Sequence, residues 1–242
     1  MGRSIFIGDV HGCARELSKL LSELAPGAGD QVVFVGDLVA RGPDSRKVIQ
    51  LAREIGALSV MGNHEHRLLV ARKAQLSGER APRLGPSHQA LLKEMSDEEW
   101  EYLESLPLSL EFVDNNVTVV HAGVVPGLPL SEQQAWTLLH VRSITAEGEP
   151  SDKFSSVSWA ALYRDERHIV FGHNAQAGLQ MHPAATGLDT GCVYGGSLTA
   201  LVLREGERPP PVEGRRDALF AVNAHARYVD FGPRPKRQLH ET

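Results

Sequence analysis

The first sixty residues repeat one pattern of apolar and polar positions. Each repeat is a short β-rich run, a Gly-Asp or Gly-Asn turn, and a stretch with apolar residues at helical spacing. Apolar runs at 4–8, 31–35 and 57–61 predict three strands. Apolar residues three or four apart predict helices through 17–24, from Pro43 through 52, and around 68–71. This βαβαβα order indicates an α/β fold.

The pattern changes after the third helix. Two prolines and two glycines make 75–87 a predicted loop. Residues 89–106 are expected to form a helical hairpin, with Ser96 capping its second helix and Glu99 completing a capping box. The remaining predicted elements are strands at 108–113, 117–120, 169–171 and 198–204, a helix at 131–139 and an exposed loop at 205–216. We find no internal repeat or domain boundary, so 1–231 is predicted to be a single domain and 232–242 a frayed basic tail.

The composition is that of an ordinary globular chain. Of the 242 residues, 42% are hydrophobic and 23% are charged, which excludes a disordered or coiled-coil protein. The longest apolar run, near 117–125, is interrupted by His121 and is too short to cross a bilayer. The first residues lack the features of a signal peptide, and two cysteines form no disulfide framework. We therefore expect a cytoplasmic protein without a membrane span.

The charge balance limits the ligands that the chain can attract. With 25 basic and 30 acidic residues, the net charge of −5 gives no general attraction to nucleic acid or anionic lipid. A phosphate ligand would need local positive charge, from metal ions or from a few arginines. The eleven histidines keep a metal site open.

Five short motifs follow the predicted strands. In chain order they are Gly8-Asp9-Val10-His11-Gly12, Gly36-Asp37-Leu38-Val39-Ala40-Arg41-Gly42, Gly62-Asn63-His64-Glu65, His121-Ala122-Gly123 and Gly172-His173. Polar residues at the carboxyl ends of strands converge on one crevice in an α/β sheet. The motifs offer carboxylates, an amide and imidazoles but no thiolate. This donor mix suits Mn²⁺, Fe, Zn²⁺ or Co²⁺ better than Ca²⁺ or Mg²⁺.

The metal interpretation depends on the five motifs together. In an extended segment, Asp9 and His11 point to the same side and can reach one ion, but a single Asp-x-His occurs often by chance. A histidine standing alone is more often a hydrogen-bonded interior or surface residue. Six histidines outside the motifs are predicted to have that role: His66, His88, His140, His182, His225 and His240.

The order and spacing of these motifs resemble the calcineurin-like metallophosphoesterases, in particular their phosphoprotein-phosphatase branch. The resemblance implies a four-layer α/β sandwich, in which helices flank two mixed β-sheets. It also implies a dinuclear site for divalent transition-metal ions, with Mn²⁺ expected first and Co²⁺, Fe or Zn²⁺ as alternatives. The implied ligands are Asp9, His11 and His173 on one ion, Asn63 and His121 on the other, and Asp37 bridging the two.

The same resemblance assigns the residues that act on phosphate. Arg41 and Arg142 are implied to bind the phosphate, and His64 to act as general acid. Two ions of such a site clamp phosphate oxygens and turn a shared water into hydroxide for in-line attack.

One position departs from the protein phosphatases. They carry Asp where this chain has Ala40, and that Asp orients the catalytic histidine. Residues 36–42 instead resemble the symmetrical diadenosine tetraphosphate hydrolases, the ApaH group and its ApaH-like relatives. The run at 188–201, LDTGCVYGGSLTAL, resembles the same group. A short chain after His121, and Glu65 in place of Asp, bring the sequence nearer to the compact ApaH-like subgroup, whose substrates are more varied.

The resemblance implies hydrolysis of dinucleoside polyphosphates, with diadenosine tetraphosphate split into two ADP. The alternatives are a protein or small-molecule phosphomonoesterase on the same site, and a scaffold that binds nucleotides without catalysis. Capped RNA 5′ ends are a further candidate substrate, and no protein partner is predicted.

Tyr194, in a glycine-rich loop, is either a stacking surface for adenine or a structural residue. Because Ala40 leaves His64 without its usual Asp, we expect a preference for anhydrides, which release a stable leaving group.

Overall fold

The computed structural model describes residues 2–154 and 157–231. The strands within these residues are β1 (Arg3–Ile7), β2 (Gln31–Phe34), β3 (Leu58–Ser59), β4 (Ser109–Phe112), β5 (Val117–Val120), β6 (Ser143–Ile144), β7 (Pro150–Ser151), β8 (His168–Phe171), β9 (Gln180–His182), β10 (Ala185–Gly187), β11 (Ser197–Arg204) and β12 (Leu219–Asn223). The α-helices are α1 (Ala14–Leu24), α2 (Ser45–Glu54), α3 (Asn63–Ser77), α4 (Pro86–Glu94), α5 (Asp97–Glu104), α6 (Ala135–His140) and α7 (Trp159–Leu162). Short 3₁₀ helices lie at Leu130–Glu132 and Arg215–Ala218.

Two five-stranded sheets carry the fold. The first has the order β12-β11-β1-β2-β3 and the second the order β4-β5-β8-β10-β9. In the first, β1 pairs parallel with β2 and antiparallel with β11. In the second, β5 pairs parallel with β8 and antiparallel with β4. Both sheets are therefore mixed, as the family resemblance implied.

Alternation along the strands divides the apolar residues among three cores. Phe6 on β1 packs with Val33 and Val119 between the two sheets. Its neighbours Ile5 and Ile7 face the opposite side of the first sheet, where they pack under helices. On the outer face of the second sheet, residues of β8 pack with those of α6 and α7. Helices, two sheets and helices form four layers, which confirms the predicted sandwich.

Several predicted boundaries were wrong. The second helix begins at Ser45 rather than Pro43, because Asp44 takes the N-cap position and accepts a hydrogen bond from the Lys47 backbone N–H. The helix predicted at 131–139 is broken into a 3₁₀ turn and α6. The break falls at Gln133, whose side chain is hydrogen-bonded to both backbone groups of Val125. The hairpin with the Ser96 capping box is confirmed as α4 and α5.

Two further predictions need correction, and a third lies outside the described residues. The predicted loop at 75–87 is shorter, since α3 continues to Ser77 and α4 begins at Pro86. Arg215, at the end of the predicted exposed loop, is buried and donates hydrogen bonds to the carbonyls of His182 and Ala185. The predicted tail at 232–242 lies outside the described residues. Within the described ranges, no helix combines the length and apolar character that crossing a membrane requires.

Candidate active site

All five motifs converge between the two sheets. Asp9 and His11 follow β1, Asp37 follows β2, and Asn63 follows β3 of the first sheet. The remaining motif residues follow the parallel strands β5 and β8 of the second sheet. One pocket is lined by motif residues and by residues from later in the chain: His11, Asp37, Arg41, Asn63, Arg142, Phe154, His173, Ala175, Gln176, Tyr194 and Phe231. We call this the site pocket.

The backbone is strained where the motifs turn into the site pocket. His11, Asp37 and His173 have φ values of 48°, 50° and 68°, and Ala40 and Arg41 both have φ of 67°. Residues with a side chain rarely adopt this left-handed region, and such strain concentrates at functional sites. The strain at these positions lowers the stability of the fold and directs these side chains into the site pocket.

Two glycines allow the carboxylates to approach the backbone. A Cβ on Gly172 would lie 1.9 Å from Oδ1 of Asp9, and a Cβ on Gly62 would lie 2.3 Å from Oδ1 of Asp37. No larger residue fits at either position without moving a carboxylate. The glycines of the motifs are thus required by packing around Asp9 and Asp37.

Asp37 lies between two imidazoles. Its Oδ2 is 3.5 Å from Nε2 of His11 and 3.5 Å from Nε2 of His121. The Nδ1 atoms of these histidines lie 3.1 Å from the Val39 carbonyl and 2.8 Å from the Val35 carbonyl. Because a carbonyl only accepts, each neutral ring carries its proton on Nδ1 and turns an Nε2 lone pair towards Asp37. A cation shared by these nitrogen lone pairs and the carboxylate oxygen would make this arrangement favourable.

His173 and Asn63 extend this arrangement. Asn63 Oδ1 lies 3.0 Å from His121 Nε2 and 2.9 Å from His173 Nδ1. His173 Nε2 is buried and has no hydrogen-bond partner. The backbone N–H of His173 donates to the carboxylate of Asp9, at 3.0 and 3.1 Å from its two oxygens.

Burial sets the electrostatics of the site. It raises the pKa of Asp9 well above its ordinary value, that of Asp37 to about 7 and that of Asp189 to about 6. The neighbouring carboxylates also repel one another. Burial lowers the pKa of His121 to about 4 and that of His173 well below its ordinary value. Crowded carboxylates beside neutral imidazoles are favourable only with a cation among them, so the residues fit a metal site.

The described residues contain two overlapping groups of donor atoms that could hold such ions. Asp37 belongs to both, once with His11 and His64 and once with His121 and His173. This sharing agrees with a bridging carboxylate. The groups differ from the predicted ligand sets, since His173 joins His121 rather than His11 and Asp9 is in neither. The assignment of each residue to an ion remains a prediction.

Both predicted phosphate-binding arginines line the site pocket. The Arg142 guanidinium donates to the Asp152 carbonyl at 3.0 Å, while its buried Nε has no hydrogen-bond partner. It lies 5.2 Å from the centroid of the Phe154 ring. The Arg41 guanidinium lies 5.5 Å from the centroid of the Tyr194 ring and contacts the Tyr194 hydroxyl. Each arginine therefore has an aromatic neighbour at the pocket wall.

Tyr194 lies in the site pocket, but one face of its ring is already covered. Phe231 stacks on it with ring centroids 3.9 Å apart and planes 14° from parallel. Phe231 itself is 42% exposed. Phe231 is therefore the exposed ring of this stacked pair, an arrangement that sequence reasoning did not find.

Glu65 is a second residue whose role the sequence did not reveal. It is fully buried, and its carboxylate accepts hydrogen bonds from the backbone N–H groups of Asp37, Val39 and Gly62 at 2.8–3.0 Å. One carboxylate therefore ties the loop after β2 to the start of α3. The available signal was its place three residues after Gly62, the spacing of a capping box.

His88 is the third. Its Nε2 lies 3.0 Å from Nδ1 of His64, and the two rings are stacked. The sequence placed His88 among the histidines outside the motifs. No local signal could have found this contact, since 24 residues and a loop separate the two histidines.

Residues 2–204 match the sequence model of the calcineurin-like phosphoesterases. The chain therefore belongs to this family, which confirms the resemblance seen in its motifs.

Within the family, the chain is similar to bis(5′-nucleosyl)-tetraphosphatases. It is 33% identical to the asymmetrical bis(5′-nucleosyl)-tetraphosphatase PrpE of Oceanobacillus iheyensis, over 83% of this chain and 88% of that protein. It is 29% identical to the symmetrical bis(5′-nucleosyl)-tetraphosphatase of Aromatoleum aromaticum, over 82% of this chain and 93% of that protein. The relatives thus include enzymes named for both modes of cleavage.

Solved structures show the same similarity. A crystal structure assigned provisionally as a diadenosine tetraphosphatase has a TM-score of 0.79 and 33% identity, and the match covers 92% of this chain and 94% of that one. A protein serine/threonine phosphatase from Saccharomyces cerevisiae, at 16% identity and a TM-score of 0.58, shares the fold over 97% of this chain and 81% of that one.

Proposed function

We propose that this protein is a metal-dependent hydrolase that splits dinucleoside polyphosphates symmetrically, with diadenosine tetraphosphate giving two ADP. The observation that carries the proposal is the composition of the site pocket. A cluster of Asp and His side chains shares the pocket with two arginine–aromatic pairs, Arg41 with Tyr194 and Arg142 with Phe154. These features match a ligand that has phosphates in its middle and a base at each end.

The two pairs favour symmetrical cleavage. Each places one guanidinium for a phosphate beside an exposed ring for a base, Phe154 next to Arg142 and Phe231 on the Tyr194 ring next to Arg41. The two halves of the substrate therefore meet similar surroundings. A polyphosphate held in this way presents its inner phosphates to the Asp and His cluster. The similar relatives include enzymes named asymmetrical and enzymes named symmetrical, so their names do not select a cleavage mode. The nucleotide products of the reaction distinguish the two modes.

The chain's own residues have separate tasks in this proposal. Asp9, His11, Asp37, Asn63, His121 and His173 would hold two divalent ions, which supply a nucleophile near neutral pH and shield the phosphate charge. Arg41 and Arg142 bind and orient the phosphates. His64 donates a proton to the leaving oxygen.

For the metal, the imidazole and carboxylate donors favour Mn²⁺, with Co²⁺ next. Protein stripped by a chelator and dialysed should be inactive, and Mn²⁺ or Co²⁺ should restore more activity than Mg²⁺ or Ca²⁺. Turnover of p-nitrophenyl phosphate, with metal analysis of the same samples, measures this. Best recovery with Ca²⁺ would contradict the proposed metal class, and turnover without any metal would contradict metal dependence.

Product analysis tests the cleavage mode. With diadenosine tetraphosphate, ADP should be the sole nucleotide product at early times, as resolved by ion-exchange chromatography. Cleavage in ¹⁸O-water should place the label in ADP. Equal early amounts of ATP and AMP would refute symmetrical cleavage. Parallel assays with capped RNA, inorganic polyphosphate and a phosphopeptide measure the alternative substrates.

The two exposed rings of the site pocket should bind the bases. Phe154 is 45% exposed and Phe231 is 42% exposed. Since stacking of a base on an aromatic ring contributes about 1–3 kcal/mol, Phe154→Leu and Phe231→Leu should each raise KM for diadenosine tetraphosphate about 5- to 50-fold. KM for p-nitrophenyl phosphate should stay within about twofold, since that substrate has no base.

The control is Phe220→Leu, on β12 and outside the pocket-lining residues. It should leave both KM values unchanged. An equal rise of KM for the two substrates in the Phe231→Leu protein would exclude a base-binding role.

We also propose that residues 1–231 act as one domain and that the protein works in the cytoplasm. Cys13 and Cys192 are buried free thiols, as a reducing compartment permits. A single cooperative unfolding transition would support the one-domain organisation.

A further inference from the structure

Ala40 has no carboxylate to orient His64, the proposed general acid, but the His64 ring has another hydrogen-bond partner. Ala40 is fully buried, and among the described residues the structure shows no hydrogen bond from the His64 ring to a carboxylate. Instead, Nδ1 of His64 lies 3.0 Å from Nε2 of His88. The two rings stack with centroids 4.9 Å apart and planes 21° from parallel.

The fold holds His88 in this place from several directions. It lies in the first turn of α4, which starts with Pro86 after the Gly85 N-cap. The preceding residue, Ser87, accepts a hydrogen bond from the Arg41 backbone N–H at 3.1 Å. This contact fixes the start of α4 against the loop that contains Ala40. His88 is only 6% exposed, so its ring cannot turn freely away from His64.

We propose that His88 is a positioning residue that orients the His64 ring for proton donation, in the role that a carboxylate has where Ala40 stands. This inference rests on the proposed function only in taking His64 as the general acid. The hydrogen bond keeps a proton of His64 on Nδ1, between the two histidines. In the imidazolium form of His64 the second proton is on Nε2, and this proton moves to the leaving oxygen as its bond to phosphorus breaks. The attacking water forms the new P–O bond and releases its proton to solvent.

A histidine fills this role differently from a carboxylate. Burial lowers the pKa of His88 to about 4, so the ring is neutral at physiological pH. A neutral ring fixes the geometry and the tautomer of His64 without adding a negative charge beside it. Orientation without added charge agrees with an enzyme whose natural leaving group is already a stable anion.

Two substitutions separate the hydrogen bond from the packing. His88→Phe keeps an aromatic ring against His64 but removes the nitrogen. His88→Gln loses the ring but places an amide group where Nε2 lies, so the hydrogen bond to His64 can persist. His168→Phe is the matched control, because His168 is also 6% exposed but bonds to Thr186 on the second sheet. Circular dichroism and metal content establish that each variant is folded and loaded.

The main measurement is kcat over a series of aryl phosphates in the metal-loaded enzyme. His88→Phe should lower kcat about tenfold for phenyl phosphate, and progressively less as the leaving group improves, with KM unchanged. His88→Gln should recover most of that loss. In a His64→Asn background, His88→Phe should have no further effect, because the partner that it positions is gone. His168→Phe should not change the dependence on leaving group.

A second readout does not depend on activity. In protein labelled with ¹⁵N-histidine, the Nδ1 proton signal of His64 should be present in the wild type and in His88→Gln, and lost in His88→Phe. Three results would each overturn the proposal: equal loss over all leaving groups, a further loss in the His64→Asn background, and retention of the Nδ1 signal in His88→Phe. Since aryl phosphates contain no nucleotide, failure on diadenosine tetraphosphate alone would contradict the proposed function and leave the role of His88 standing.

Discussion

Asp37→Asn should abolish hydrolysis of both diadenosine tetraphosphate and p-nitrophenyl phosphate, with a loss of at least about 10³-fold, because nucleophile activation and charge shielding both depend on bound metal. Asp37 belongs to both groups of donors in the site, and its Oδ2 lies equally far from His11 and His121. Replacing its carboxylate therefore removes a ligand from both proposed ions. Metal analysis after dialysis should show fewer than the two ions per chain expected of the wild type.

The same variant should remain folded. The raised pKa of Asp37 means that its charged form is unfavourable in the folded, metal-free protein. Asparagine resembles the protonated carboxyl, and its Oδ1 can still accept the hydrogen bond from the His64 backbone N–H, which lies 3.0 Å from Asp37 Oδ1. The thermal midpoint without metal should thus equal or exceed that of the wild type. Asp114→Asn, at an exposed turn, is the matched control and should keep both metal and activity. Normal turnover by Asp37→Asn would refute the two-metal site.

His64→Asn should lower kcat for phenyl phosphate about 10²- to 10⁴-fold, the usual contribution of general acid catalysis. The loss should be much smaller for diadenosine tetraphosphate. Its leaving group is a nucleotide phosphate with a pKa of roughly 6–7, which needs little help from an acid. Wild-type rates should likewise fall as the pKa of the leaving group rises. A rate series over leaving groups, under conditions where chemistry limits kcat, measures both effects.

Metal content is the control for this variant, since His64 also lies near His11 and Asp37. His64→Asn should retain its metal, and His66→Asn, two residues further along α3, should behave as the wild type. An equal loss on anhydrides and esters would show that Ala40 and the missing Asp do not set the substrate class.

Much of the site could be predicted because its signals are local. Each motif places its polar residues directly after a strand, so the five strand ends identify Asp9, Asp37, Asn63, His121 and His173 as candidates to meet. The reason why glycines stand beside them is visible only in the structure, where Gly62 and Gly172 approach carboxylates too closely for a side chain to fit. Helix ends were less predictable, as Asp44 and Gln133 show, because capping competes with periodicity over one or two residues.

The sequence by itself determined the alternation that divides Ile5, Phe6 and Ile7 between two cores, and the donor types that suit a transition metal. Only the tertiary structure decided that β12 covers the edge of β11, that Phe231 stacks on Tyr194, and that His88 holds His64. The physical reason is the range of the interactions. Periodicity, turns and ligand chemistry are set by residues a few positions apart, whereas these contacts join residues 18 to 37 positions apart and form only when the layers pack.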